Sequence, residues 1–236
     1  MRIGCIGVVL ALLSNVMLAQ RAVTIPLPNQ GGQIRAGQIR ADQIRADLYG
    51  SGTRGIVLAH GGRFNKQSWA AQAHVFSDAG FTVLAIDFRG DRLNPDGSPS
   101  AEGSNADNAA DVLAAVRYLH RIGVMHVYAI GGSLGGDAVG EADVQSNPGE
   151  MERVVFLGSE GGDYPEKLKG RKLFIVAHND ESGSGPRLPG IKDHFARVPE
   201  PKKLVIVDGS AHAQFLFTSD QGPQVMHEIL AFFTGR

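Results

Sequence analysis

The sequence predicts an α/β fold: one doubly wound, mostly parallel sheet with an antiparallel hairpin at its N-terminal side and no cap domain. Three observations carry this expectation. From residue 54 onward, six short runs of β-branched and apolar residues alternate with helical patterns. The runs are apolar on both faces, as central strands covered from both sides must be. Strands joined by helices require right-handed crossovers, which make the sheet parallel. The chain has 236 residues, 43% of them hydrophobic, enough for the core of one large domain.

The first segment reads as a sorting signal. Residues 1–19 begin with Arg2, continue through a mostly apolar run, Ile3–Leu18, and end in the small residue Ala19, where cleavage is expected. Gly4, Gly7, Ser14 and Asn15 make the run too polar for a membrane span of about 20 residues. An uncleaved anchor is the alternative. Cleavage makes the mature protein secreted or periplasmic, with residues 20–236 forming a single domain. It also removes Cys5, the only cysteine, which excludes a disulfide framework and Cys-ligated zinc.

Residues 33–47 repeat a five-residue unit, QIRAG-QIRAD-QIRAD, beginning at Gln33, Gln38 and Gln43. A period of five matches neither strand nor helix. The segment is therefore expected to be an expanded hairpin at the sheet edge. An arginine-lined strip of Arg35, Arg40 and Arg45 is the sharper reading. The strands expected next are Arg54–Ala59, Thr82–Ile86, Val124–Ile130, Arg153–Leu157, Lys172–Ala177 and Lys203–Val207. The helices expected between and after them are Lys66–Ala79, Ala106–Arg121, Leu134–Gln145, Leu188–Ala196 and Pro223–Phe233. In the second of these, Ala109, Val112, Leu113, Val116, Leu119 and His120 fall at three- and four-residue steps, and Ser104 or Asn105 can cap its start.

Charge excludes several partners. The formal net charge is −1, with no basic patch or long charge run, so neither nucleic acid nor, after signal cleavage, an anionic membrane is an expected partner. No phosphate-binding lysine or dinucleotide fingerprint is present, and the histidines follow no metal-ligand pattern, so no cofactor and no metal are expected.

Ligand sites in such sheets lie at the carboxyl ends of the strands. There, the strand ending at Ile130 runs into Gly131-Gly132-Ser133-Leu134-Gly135-Gly136 and then a helix. In a chain with 31 glycines a G-x-S-x-G match alone is weak. The strand before it and the helix after it strengthen the match. A sharp strand-to-helix turn exposes the middle hydroxyl near the positive end of the helix, and only glycines let the neighbouring chain pass so close.

With Leu58-Ala59-His60-Gly61-Gly62, Asp87-Phe88-Arg89-Gly90, the turn around Ser133 and two late loops, residues 44–236 resemble the α/β-hydrolase fold family. The resemblance is to its small, lidless, dienelactone-hydrolase-like and esterase-like members. It implies a triad in the order Ser133, Asp180, His212, the acid and the histidine each following a strand. Dienelactone hydrolases proper use a cysteine nucleophile; the serine here points to the esterase-like side. The resemblance further implies an oxyanion hole from the backbone N–H groups of Leu134 and Gly62, with Arg63 as alternative second donor, and a bracing role for His60 in the turn. Asp208 is the alternative triad acid. Phe64 and Phe215 flank the implied catalytic loops and are candidates to line an acyl pocket. Asp87 and Arg89 are expected to make loop hydrogen bonds or an ion pair.

The connection from Gly158 to Arg171 is too short for a cap domain. The long loop Phe88–Asn105 is the rim segment expected to shape the entrance. The expected activity is therefore serine acyl hydrolysis, most simply a carboxylesterase acting on a small-molecule acyl substrate. A thioesterase, a peptidase or a non-catalytic binding protein on the same fold remain alternatives.

Overall fold

The structure is a computed structural model and describes residues 20–27, 43–89 and 105–235. The expected signal segment, the first two pentapeptide units and most of the expected entrance loop lie outside these residues. Eight strands form one sheet: β1 (Arg21–Pro26), β2 (Gln43–Tyr49), β3 (Arg54–Ala59), β4 (Thr82–Ile86), β5 (His126–Gly132), β6 (Arg153–Leu157), β7 (Arg171–Ala177) and β8 (Lys202–Val207). Their order is β1-β2-β4-β3-β5-β6-β7-β8. β2 pairs antiparallel with both β1 and β4, and every later pairing is parallel. The helices are α1 (Ala70–Asp78), α2 (Asn105–Arg121), α3 (Leu134–Gln145), α4 (Leu188–Arg197) and α5 (Gly222–Thr234).

The doubly apolar strands have the expected cause. Along β3, Val57 and Ala59 point into a core shared with α2, α3 and α4, while Ile56 and Leu58 point into one shared with α1 and α5. On β5, Val127 and Ala129 face the first layer, and Tyr128 and Ile130 the second. In α2, Ala109, Val112, Leu113, Val116 and Leu119 are all buried. In the second layer Phe233 of α5 stacks on Tyr128 with ring centroids 4.9 Å apart and is tilted against Phe81 at 6.1 Å, which seats the last helix.

Two elements differ most from expectation, while α2, α4, α5, β7 and β8 shift by single residues at their ends. β5 starts and ends two residues later than the apolar run, because Gly131 pairs with Ala59 and Gly132 with Leu157. The expected helix over 66–79 opens as a 3-10 turn, Lys66–Trp69, capped where the Asn65 side chain accepts from Gln67 N, and becomes α-helical at Ala70.

The third pentapeptide unit, Gln43–Asp47, is the first part of β2, with Gln43 and Arg45 exposed and Ile44 and Ala46 buried. Its Asp47 is buried and receives the Lys66 ammonium at 2.6 Å. Arg45 Nε stands 3.5 Å from Asp87 Oδ2, while Asp87 Oδ1 accepts from Lys66 N at 2.9 Å. Asp87 and Arg89 are thus not partners of each other. Arg89 instead grips the fully buried Asp111 of α2, its backbone N–H and Nε each donating at 2.7 Å.

Lys66→Met is expected to leave the Asp47 carboxylate buried without its counter-ion and to cost about 3–5 kcal/mol of unfolding free energy. Denaturant titration of both proteins measures it, and a loss below about 1 kcal/mol contradicts the assignment.

Candidate active site

The strand-to-helix turn is strained at one residue. Ser133 has φ 51° and ψ −122°, a backbone conformation that costs a non-glycine residue about 1–3 kcal/mol. Its neighbours hold it there. Ser133 N–H donates to Leu157 O at 3.0 Å, and Ser133 O accepts from Gly136 N at 2.7 Å and Asp137 N at 3.1 Å. The flanking glycines are required by proximity. A Cβ on Gly131 would stand 2.1 Å from Gly135 O, and one on Gly135 2.3 Å from Ala59 O. The side chain is thereby projected above the tip of β5, at the N-terminus of α3.

Asp180 and His212 come together across the next two strand ends. His212 Nδ1 lies 2.8 Å from Asp180 Oδ2, with the carboxylate fully buried and the imidazole about a quarter exposed. With Nδ1 protonated, the ring donates to the carboxylate and leaves Nε2 as an acceptor. Gly158 lies against this pair: a Cβ there would be 2.8 Å from Asp180 Oδ2 and 2.9 Å from His212 Nδ1. Gly158 and Ser133 line the same cleft, of about 270 Å³. A Cβ on Gly132 would stand 3.2 Å from Ala213 Cβ, so the residues beside Ser133 and beside His212 are in contact. The Ser133 hydroxyl itself makes no hydrogen bond among the described residues. Asp208, the other candidate acid, is exposed on its turn.

The His60-Gly61-Gly62 turn packs on the same rim. Gly62 faces Leu134, a Cβ on the glycine standing 3.8 Å from Leu134 Cδ1. Among the described residues the N–H groups of Gly62 and Leu134 donate no hydrogen bond. His60 is buried and its Nδ1 donates to Gly61 O at 2.8 Å, bracing the turn from behind.

Gln214 is a residue that sequence reading missed. Buried two positions after His212, it accepts from Gly61 N at 3.3 Å and donates through Nε2 to Ser68 Oγ at 3.1 Å. It therefore fastens the Gly61 turn to the loop that carries His212. Its only sequence signal was a polar residue inside an apolar AQFLF run.

The cleft beside Ser133 is mostly polar. Besides Ser133 and Gly158 it is lined by Asp137, Ser159, Glu160, Arg187 and Ile191. Phe64 and Phe215 are not among its lining residues. They form a T-shaped pair, centroids 5.2 Å apart, with Phe64 seated against Gly61 and the Phe215 side chain exposed.

Asp137 accepts from Ser159 Oγ at 2.7 Å. Burial pushes its carboxyl above the usual range, and nearby Glu160 and Asp163 push the same way against the Ser159 and Gly162 hydrogen bonds. A group whose pKa is higher folded than unfolded contributes stability that is present below its unfolded pKa of about 3.9 and lost as pH rises through the folded value. Asp137→Asn is expected to flatten this part of the stability curve between pH 4 and neutrality, measured by denaturant titration at a series of pH values. A curve parallel to that of the parent protein overturns the assignment.

The comparisons agree with this fold. A sequence model described as alpha/beta hydrolase fold matches residues 56–215. No curated protein sequence matches the chain. Among solved structures, a dienelactone hydrolase from Anabaena variabilis is similar at a TM-score of 0.70 and 19% identity, over 93% of this chain and 98% of that one. A Pyrococcus furiosus esterase is similar at a TM-score of 0.68 and 13% identity, over 92% of each chain. A dienelactone hydrolase-like promiscuous phosphotriesterase from metagenomic libraries follows at 0.66 and 14%, over 92% of this chain and 98% of its own. The match of the sequence model over more than half of the chain, with the eight-strand order, establishes that this protein belongs to the alpha/beta hydrolase fold family.

Proposed function

We propose that the protein is a serine acyl hydrolase, a carboxylesterase for small esters, with Ser133 as nucleophile, His212 as base and Asp180 as orienting acid. The observation that carries this reading is the 2.8 Å contact between His212 Nδ1 and the buried Asp180, beside a serine held in left-handed backbone. Ser133 Oγ is a weak nucleophile until its proton has an acceptor. With Nδ1–H committed to Asp180, Nε2 is the acceptor. The hydroxyl attacks the ester carbonyl carbon as its proton passes to Nε2, and Asp180 offsets the imidazolium charge. The carbonyl oxygen becomes an oxyanion, for which the N–H groups of Leu134 and Gly62 are the proposed donors, each worth about 3–4 kcal/mol by analogy with known sites. As the intermediate collapses, the C–O bond to the alcohol breaks and Nε2–H protonates the leaving oxygen. Water then repeats the sequence on the acyl-enzyme, releasing the acid and restoring Ser133.

Labelling with a fluorophosphonate tests the reading. A covalent adduct on Ser133 is expected, absent in Ser133→Ala and formed at least about 100-fold more slowly in His212→Ala. Folded protein that takes no label refutes it.

The substrate is expected to be small. The Gly158–Arg171 connection holds only a 3-10 turn, Pro165–Lys167, and its Leu168 is buried in the core. It is packed down rather than raised as a lid, and the cleft lining is mostly polar. Among nitrophenyl esters, kcat/KM is expected to be highest for short acyl chains. A preference for chains beyond about twelve carbons contradicts this.

A further inference from the structure

We propose that Arg187 is a positioning residue of the site, the counter-ion that keeps Asp180 ionised while His212 is neutral; this rests on the hydrolase reading above. The Asp180 carboxylate is fully buried, yet His212 accounts for only one of its oxygens. The other, Oδ1, accepts no hydrogen bond among the described residues, and Arg187 Nε stands 3.4 Å from it, itself donating none. Arg187 and His212 are the two basic side chains within ion-pair distance of Asp180 among the described residues.

The loop is built to bring that guanidinium back. After Asp180, residues Glu181–Ser182 pair antiparallel with Gly185–Pro186, Ser182 opposite Gly185. This two-residue ribbon reverses the chain, and Arg187 N donates to Asp180 O at 2.9 Å, which closes the hairpin. Arg187 then stands at the start of α4 with its side chain about one-third exposed, forming part of the cleft wall beside Ser133.

The consequence concerns protons. A resting histidine is neutral and supplies a hydrogen bond but no charge, and a buried carboxylate lacking a countercharge tends to take up a proton. Arg187 opposes that uptake. The other charged groups of the cleft are engaged elsewhere, Glu160 with His194 at 3.2 Å and Asp137 with Ser159. Removing the guanidinium therefore raises the pH at which the His212–Asp180 couple binds its proton, whichever of the two holds it. The active form of the couple, neutral imidazole with ionised carboxylate, is then confined to higher pH.

The test is the pH dependence of fluorophosphonate inactivation in the parent protein, Arg187→Met, Arg187→Gln and Arg187→Lys, each first checked for folding by circular dichroism. In the Met variant the acid limb is expected to move up by roughly 0.5–1 pH unit, which lowers the rate on that limb about 3- to 10-fold. The lysine variant is expected to recover most of the shift, since the charge and not the fork is required. The glutamine variant stands in if the methionine variant does not fold. An acid limb that stays in place in the uncharged variants, or moves equally in the lysine variant, overturns the proposal. Failure of the parent protein to label instead sinks the hydrolase reading. In that event an NMR titration of the His212 imidazole in the same variants decides the role of Arg187 by the same criteria.

Discussion

The geometry of the site depends on one strained residue. Ser133 occupies left-handed backbone where β5 gives way to α3, and the turn exists only because chain segments approach closer than side chains would permit. Gly135 lies against the carbonyl of Ala59 and Gly131 against that of Gly135, so the end of β5, the start of α3 and the end of β3 are compressed into one layer. That compression brings the His60-Gly61-Gly62 turn beside Leu134. The strain of about 1–3 kcal/mol is offset by the regular hydrogen bonds that Ser133 makes on both sides of the turn.

Such a turn needs a rigid base, which the two-sided core supplies. Here the apolar layers on both faces of β3 and β5 are close-packed against helices, so a shift of either strand would disrupt the packing of two layers at once. The loops on the rim are then fixed by charges. Asp111 holds the start of the loop after β4 through Arg89, and Asp47 and Asp87 anchor the loop after β3 through Lys66. Each is a carboxylate buried on the sheet or on α2 and gripped by a residue of a rim loop. Because loss of either partner leaves a buried charge, these loops have few alternative positions. Gln214 extends the same logic with neutral groups, holding the Gly61 turn and the Ser68 hydroxyl at once.

Most of the fold was legible because its signals are local. The helix Leu134–Gln145 and the strands Arg54–Ala59, Thr82–Ile86 and Arg153–Leu157 have the bounds that their apolar patterns predict. β5 was misplaced by two residues because Gly131 and Gly132 read as turn residues, while ladder partners on both sides keep them in the sheet. The pairing of Asp180 with His212 was anticipated through loop order and the family resemblance. The partners of Arg89, Lys66, Gln214 and Arg187 were not, since each contact joins residues whose proximity is decided by topology. Asp87 and Arg89 do make the loop hydrogen bonds and ion pairs expected of them, but with partners far along the chain: Asp87 with Arg45 and Lys66 N, and Arg89 with a helix carboxylate 22 residues on. The wall of the cleft was missed for a related reason. The cleft is walled by polar residues from α3, the loop after β6 and the start of α4, which only topology brings beside Ser133.

That polar wall bears on how rate enhancement would arise here. A hydrolase that buries its substrate under a lid gains by excluding water, which strengthens every interaction inside. The Gly158–Arg171 connection is short and packed against the core through Leu168. His212 remains about a quarter exposed. Interactions at a partly solvated site are weaker, so the gain must come from groups fixed before substrate arrives, which cost no reorganisation at the moment of reaction. Two N–H groups in compressed backbone, an imidazole held by a fully buried carboxylate and a guanidinium returned by a closed hairpin are such groups. Backbone geometry fixes the N–H groups and the hairpin that carries Arg187, and the buried Asp180 contact fixes the imidazole, so in the proposed reaction a small open site would compensate for what it does not enclose.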